Sequence, residues 1–577
     1  MPITPQEQQL LDSIDVSEMW RHLEYLCAID RTSGSPGELQ AAEYIAAELR
    51  SYGCYVEMHR LDAYLSYPRS ASLRVAGVAP GTFPAKTRSF SASTPPGGVS
   101  GEIIYVPGSS DMFTDTETVE RLLRLDLAGK VVLSEGGGRQ NMLAARQRGA
   151  VAYIHLWSSD EDVIHEGIAT PIWGTPAPGA LAALPGIPVI SVKRLDGLKL
   201  REAAAERPVV ATIHTEVETG WHSLVLPEAV IPGRTSDFVL IAGHLDSWHL
   251  GATDNATGNV SCLELARVLA AAARQQGGLE RGVRIAWWPG HSTGRYAGST
   301  WYCDHYWQLL HDHCVTYINI DSPGCLGAYD YSAVTAVAEN AAFAQEVVRE
   351  LTGTTPEIER PVRAGDQSFW GPGVSSLFML LSNRPPGQRA AVGGSGMGWW
   401  WHTEQDTIDK VEAKVLELDT RIYALAAWRL CTAARLPFRL RPLAAELEQR
   451  VAELAGMLAG TDANPLVETQ RLTTAAQLLT SAAARFDERA DEAGDGFDGA
   501  ALAAIRWLTP VSFSAAPAHE HGPATPTSVL PLLAPLERLA RMEQADEGFG
   551  FAVADAIRRR NAVLQALHQA ERVLRLG

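Results

Sequence analysis

The apolar run Phe238-Val-Leu-Ile-Ala ends in Gly243-His244-Leu245-Asp246-Ser247, and Asp254 follows in Gly251-Ala-Thr-Asp-Asn-Ala-Thr-Gly258. Downstream, Val315-Thr-Tyr-Ile-Asn-Ile delivers Asp321, and His402 stands in Trp401-His-Thr-Glu-Gln-Asp-Thr407. Imidazole and carboxylate at strand ends suit a zinc-type cation, and Asp246 is placed to hold the His244 ring from behind. Singly, such residues are more often hydrogen-bonded pairs, turns or caps. The metal reading therefore rests on all four coming together across separations of 10, 67 and 81 residues.

Strands and helices must alternate to bring them together, and the sequence has that texture. Phe238 to Ala242, Val283 to Trp288 and Val315 to Ile320 read as strands; Val260 to Ala273 and Thr300 to Leu310 read as helices. This predicts an α/β fold with a mostly parallel sheet covered by helices, and chemistry at the carboxyl ends of the strands. Ser35-Pro36 opens an earlier helix. From about residue 66 short β-rich runs and Gly/Pro turns take over, with helical stretches near 115–127 and 139–149. Beyond about 438, Ala, Leu, Glu and Arg dominate and strands vanish. The expected organisation is an α/β domain of residues 1–65 and 220–438, an inserted β-rich domain of 66–219, and a C-terminal helical bundle of 439–577.

Taken in order, these motifs resemble the co-catalytic zinc peptidase family that includes glutamate carboxypeptidase, the transferrin receptor and bacterial aminopeptidases. The family pattern is G-H-x-D-S, G-A-x-D-N-A-x-G, a glutamate pair, an aspartate after a central strand, and H-T-x-x-D-T, the last containing Asp406 here. Four of the five blocks are present. The resemblance implies one or two divalent ions, with Asp254 bridging, His244 and Asp321 completing one site and His402 serving the other. It also implies that 66–219 is a protease-associated domain, that 439–577 mediates a homodimer, and that the substrate is a peptide or small amide.

The missing block is the glutamate pair. The chain reads Trp287-Trp-Pro-Gly-His291-Ser292-Thr-Gly-Arg-Tyr-Ala-Gly-Ser299 there, with no Asp or Glu from Arg281 to Cys303. Three readings follow. In one, His291 takes over as base or ligand, because imidazole titrates near neutrality and binds metals. In another, catalysis is lost and the scaffold binds a metal or ligand. In the third, Gly290-His-Ser292-Thr-Gly294 is a nucleophile elbow with Asp321 and His402 as partners, which leaves His244 and Asp254 without a role.

Composition narrows the field. The 577 residues carry 49 Lys and Arg against 67 Asp and Glu, a net charge of −18 with no basic run, which disfavours nucleic acid and anionic membranes. Seven scattered cysteines suggest no disulfide framework or cysteine zinc site, and no stretch reads as a signal peptide or membrane span, so a cytoplasmic protein is expected. There is no H-E-x-x-H and no P-loop. Arg384 and Arg389 are candidates for holding a substrate carboxylate, and Trp399 to Trp401 either wall a pocket or pack a core.

Overall fold

The structure, a computed structural model, describes residues 2–109, 116–157, 159–493, 496–523 and 528–577. Its centre is the strand Phe238–His244, in parallel register with Gly282–Trp288 on one side and Cys314–Asn319 on the other; Ser375–Leu377 extends the parallel set. Every residue of Phe238–His244 is buried, which is why it reads as an unbroken apolar run rather than an alternation. Its side chains still alternate between faces. Val239 and Ile241 pack with Thr257–Gln275 and Ala413–Thr432, while Phe238, Leu240 and Ala242 pack with Ala297–His305 and Trp307–His313.

Two long strands were only partly legible. Tyr55–Val75 and Val210–Ile231 form one antiparallel ladder, from Tyr55 opposite Val230 to Val75 opposite Ala211, with a register shift between Pro68 and Ser70. The second strand pairs with Gly282–Trp288 at one end and Val99–Tyr105 at the other, so a single sheet of 12 strands among the described residues runs through the whole region. The positions 65/66 and 219/220 lie inside this ladder, where Leu65 pairs with Gly220. Lys130–Ser134, Ala152–Leu156 and Val189–Val192 continue it in parallel.

The segment 66–219 also carries a third helix, Arg194–Glu206, that the sequence reading omitted. Its Gly197 argued against a helix, yet a Cβ there would lie 2.4 Å from Leu156 Cδ1, so glycine is what lets this helix close on the sheet. The expected helix 300–310 is two, Ala297–His305 and Trp307–His313. Beyond residue 438 the described residues contain no strand. Leu440–Leu458, Thr469–Ala493, Asp498–Phe513 and Phe549–Leu576 are the main helices, and their apolar faces join the same buried cluster as Thr257–Gln275. Asp498–Phe513 carries Pro510 inside it, and Pro531 and Pro535 open two short elements, Pro531–Leu533 and Pro535–Leu539, in place of one continuous helix.

Candidate metal centre

His244 ends the central strand, Asp321 follows the neighbouring one, and the loop after Gly282–Trp288 carries His291. Asp254 sits on a tight segment opened by Gly251 at φ 46°; a Cβ on Gly251 would lie 2.3 Å from the Asp254 carbonyl oxygen, so the turn requires glycine. Asn255 then ties that segment to the Asp321 loop: its amide donates to Ile320 O at 2.9 Å and its carbonyl oxygen accepts from Ser322 N at 3.1 Å. Asp406 holds the segment from the other side. It accepts from Thr253 N (2.9 Å), Thr253 Oγ1 (2.7 Å) and Asp254 N (3.0 Å), which gives this residue a positioning role.

The four expected ligands meet. His244 Nε2 lies 2.8 Å from Asp254 Oδ1 and 3.9 Å from Asp321 Oδ1, and His402 Nε2 lies 3.1 Å from Asp254 Oδ2. One carboxylate thus faces two imidazoles, one per oxygen. The rear nitrogens are fixed as well: His244 Nδ1 contacts Asp246 O at 2.8 Å and His402 Nδ1 contacts Glu166 O at 3.2 Å. A carbonyl behind each ring selects the Nδ1–H tautomer and leaves Nε2 for a cation, the arrangement of metal-ligating histidines. The donor set therefore fits a zinc-type ion.

Asp246 acts differently from expectation. Its carbonyl, not its carboxylate, holds His244; the carboxylate accepts from His291 N (2.9 Å), Ser292 N (2.8 Å) and Ser33 Oγ (2.7 Å), anchoring the loop that lacks the glutamates. His291 stacks on His244, with ring centroids 3.8 Å apart, and its Nδ1 is 2.7 Å from Asp366 Oδ2. Ser299 Oγ donates to the other Asp366 oxygen at 2.6 Å. His291, His244 and Asp321 offer ligand atoms within 4.8 Å of one another. Asp366 and Glu166 escaped the sequence reading, since an aspartate in a Gly-Asp turn and a glutamate in the segment 66–219 carry no spacing signal.

Electrostatics follow from the packing. Burial lowers the His244 imidazole, but the hydrogen bond and charge of Asp254 and the charge of Asp321 carry it up to about 10. Asp254 is driven well below the usual carboxylate range by His244 and His402 against its burial. Asp321 is raised by burial and by the charge of Asp254. The cluster thus holds a proton that an incoming cation must displace.

A cavity of about 220 Å³ opens over the cluster, bordered by Asp254, His291, Asp321 and His402 and, from the segment 66–219, Arg88, Arg139 and Glu166. Trp401 borders it and stacks on His402 at 3.6 Å, whereas Trp400 is buried with Nε1 on Thr253 Oγ1. The run of tryptophans therefore divides between wall and core. Arg384 and Arg389 are not at the cavity: Arg389 pairs with Asp330 at 2.9 Å, and Arg384 lies over the Trp400 ring. Ser292 has no triad, because His402 spends its nitrogens on Asp254 and Glu166 while Asp321 accepts from Ser322.

Residues 228–426 match the sequence profile of peptidase family M28. That stretch, which carries all four candidate ligands, is similar to peptidase family M28. A probable lipoprotein aminopeptidase of Mycobacterium tuberculosis is 26% identical over 298 residues, 49% of this chain and 54% of that protein, so the chain spans about half the length of this relative. A probable glutamate carboxypeptidase of Zea mays is 22% identical over 518 residues, 75% of this chain and 69% of that protein. Among solved structures, the aminopeptidase of Aneurinibacillus sp. strain AM-1 superposes with a TM-score of 0.56 at 20% identity, covering 74% of this chain and 96% of that one. A zinc aminopeptidase from Bacillus subtilis gives 0.54 at 19% identity, covering 73% and 97%. At these identities the likeness establishes the M28 aminopeptidase fold.

Proposed function

We propose that this protein is a metal-dependent hydrolase of a peptide or related amide bond in which His291 does the proton transfer usually assigned to glutamate. The observation that carries the reading is the convergence of three histidines, each with its rear nitrogen engaged, on Asp254 and Asp321, which border one cavity together with His291 and His402. One or two divalent ions, zinc or similar, held by His244, Asp254, Asp321 and His402 would polarise the scissile carbonyl and acidify a water. His291, turned by Asp366 so that Nε2 is left free, takes the proton and returns it to the leaving amine. Asp246 keeps the His291 loop in place, and Trp401 and Glu166 close the cavity side.

The organisation around the site belongs to the same reading. Residues 66–219 act as a protease-associated unit that lends cavity residues, and 439–577 mediate a homodimer; sedimentation as a monomer at micromolar concentration removes the latter. Seven unpaired cysteines suit a reducing, cytoplasmic setting. No helix among the described residues is long and apolar enough to cross a membrane.

The test is metal content per chain, measured alongside hydrolysis of aminoacyl and acidic dipeptide substrates. Bound metal with turnover that His291→Ala abolishes supports the proposal; turnover unchanged in that variant refutes the role of His291. Bound metal without turnover on any amide favours a second reading, a non-catalytic binding protein, which the absence of any carboxylate from Arg281 to Cys303 makes worth stating.

A further inference from the structure

Behind the carboxylate that faces His291 runs a chain of buried polar groups that ends on a tryptophan of the segment 66–219. Ser299 Oγ donates to Asp366 Oδ1 at 2.6 Å, Ser299 Oγ and Ser368 Oγ lie 2.8 Å apart, and Trp173 Nε1 donates to Ser368 Oγ at 2.8 Å. His291 Nδ1 closes the other end, 2.7 Å from Asp366 Oδ2. Asp366, Ser299, Ser368 and Trp173 are each 3% exposed or less, and none of the four borders the cavity.

Donor chemistry gives this chain one direction. An indole N–H only donates, a carboxylate only accepts, and a hydroxyl has one proton to give. Ser299 gives its proton to Asp366, because its alternative acceptor, Tyr296 O at 3.3 Å, is farther away and uncharged. The proton between the two serines must then come from Ser368, whose oxygen accepts from Trp173. Every proton therefore points toward Asp366, and reversing any link would leave a buried donor without an acceptor. Asp366 receives one donor on each oxygen, Ser299 on Oδ1 and His291 on Oδ2, so its plane is set before the imidazole meets it.

Trp173 is built in rather than lodged by chance. Its ring packs against the Arg363 guanidinium, 3.7 Å from the centroid, and against Tyr296, with centroids 4.2 Å apart. The next residue, Gly174, has φ 67°, donates to Arg295 O at 2.6 Å, and would place a Cβ 2.5 Å from Thr300 Oγ1, so only glycine lets the segment reach this far in. Burial alone does not pair an indole here: Trp157, Trp248 and Trp370 leave buried Nε1 atoms without a partner.

We propose that Trp173, Ser368 and Ser299 are positioning residues for His291. Their chain holds Asp366 in the orientation that keeps the imidazole proton on Nδ1 and leaves Nε2 to take a proton. The segment 66–219 thereby acts on the reaction through a side chain that never reaches the cavity. The catalytic half of this inference rests on the reading of His291 as the proton-transfer group; the orienting half does not.

The test reads both halves on the full-length, metal-loaded protein: the proton NMR resonance of the His291 Nδ1–H, and kcat with KM. A ring N–H held on a buried carboxylate resonates far downfield of the amides, and loss of the signal in His291→Gln assigns it. Ser299→Ala, Ser368→Ala and Trp173→Phe cut the chain one, two and three links from Asp366. The expected result is a resonance displaced or broadened in all three, most in the first and least in the last. kcat should fall in the same order, from about tenfold to about twofold, with KM unchanged. Trp370→Phe is the control, a buried indole outside the chain, and should lower the melting temperature without moving the resonance. A wild type lacking the downfield signal, a signal unmoved in Ser299→Ala and Ser368→Ala, or one moved equally in Trp370→Phe overturns the proposal. Unchanged kcat in Ser299→Ala, where His291→Ala abolishes turnover, overturns its catalytic half. Turnover that survives His291→Ala removes the proton-transfer reading instead, and the resonance still decides whether the chain orients the ring.

Discussion

Three places among the described residues bring histidine and carboxylate atoms within 4.8 Å of one another: His244 with His291 and Asp321, Glu57 with His59 and Glu228, and Glu166 with His249 and Glu404. By geometry they are equals. They differ in whether the protein already supplies a cation. Glu228, fully buried, accepts from Arg284 Nη1 at 2.8 Å and Tyr302 Oη at 2.8 Å besides facing His59. Glu166 meets Lys86 Nζ at 2.7 Å, and the same ammonium contacts Glu404. Around Asp254 and Asp321 no lysine or arginine among the described residues pairs with either carboxylate; imidazoles do. A metal centre is thus marked less by its ligands than by the lack of a built-in cation, because a carboxylate already neutralised by Arg or Lys gains little from a metal.

The largest expected effect of breaking this distinction is at the first cluster. His244→Ala and Asp254→Asn should each abolish metal binding and turnover while the α/β fold persists, as read by metal analysis, assay and circular dichroism. Retained metal in either would mean that the cation sits elsewhere. His291→Ala should instead keep the metal and lose turnover by about 10²–10⁴, the usual worth of general acid–base catalysis.

At the second cluster the outcome should invert. Arg284→Met leaves Glu228 buried and short of its cation, costing about 3–5 kcal/mol of stability with metal content unchanged. Denaturant unfolding together with metal analysis checks both halves; a change in bound metal would place Glu228 in the metal chemistry and erase the contrast.

The proton on His244 sharpens the comparison through pH. Its folded pKa of about 10 lies above the ordinary 6.5, so in the metal-free protein it contributes stability that is complete below pH 6.5 and lost as pH rises through about 10. A bound cation replaces that proton, so metal uptake at pH 7.5 should release about one proton, read by calorimetry in buffers of different ionisation enthalpy. Metal affinity should fall about tenfold for each pH unit below 10 in the range where His244 is the group that titrates. Uptake without proton release would remove His244 from the ligand set.

Much of this was legible because strand-end motifs are local. His244, Asp254 and Asp321 each follow an apolar run or a glycine-bounded turn, and a doubly covered parallel sheet places strand ends together. His402 follows no apolar run and was read from its own motif, Trp401-His-Thr-Glu-Gln-Asp-Thr407. What escaped the sequence was set by tertiary contact. Nothing near Asp366 foretells that it meets His291 75 residues away in sequence. Arg295 looks like an ordinary surface arginine until the fold buries it, while Arg384 and Arg389, which precede a glycine loop, turn out to meet the Trp400 ring and Asp330. The long ladder was foreshortened because its outer residues alternate polar and apolar and Pro68 interrupts them, so only its buried ends read as strand.

The smallest expected effect tests the rule most directly. Lys86 joins the segment 66–219 to the loop that carries His402: it pairs with Glu166 from its own segment and with Glu404, and His249 completes the group at 3.1 Å from Glu166. Glu404 is half exposed and His249 about one-third exposed, so solvent screens these pairs and their net contribution is small, about 1 kcal/mol or less. Lys86→Met should therefore lower the unfolding free energy only slightly. It should also leave Glu166, His249 and Glu404 as two carboxylates and an imidazole with no internal cation, the same condition that distinguishes the His244 cluster. A zinc titration of the variant should then show one additional weak site that the wild type lacks, and that disappears again in Lys86→Met combined with His249→Ala. If no site appears, the missing cation is not enough to make a metal centre, and the rear contacts that hold His244 and His402 on backbone carbonyls must carry the difference: such contacts fix two rings in the first cluster, whereas His249 points at two carboxylates from a partly solvated position.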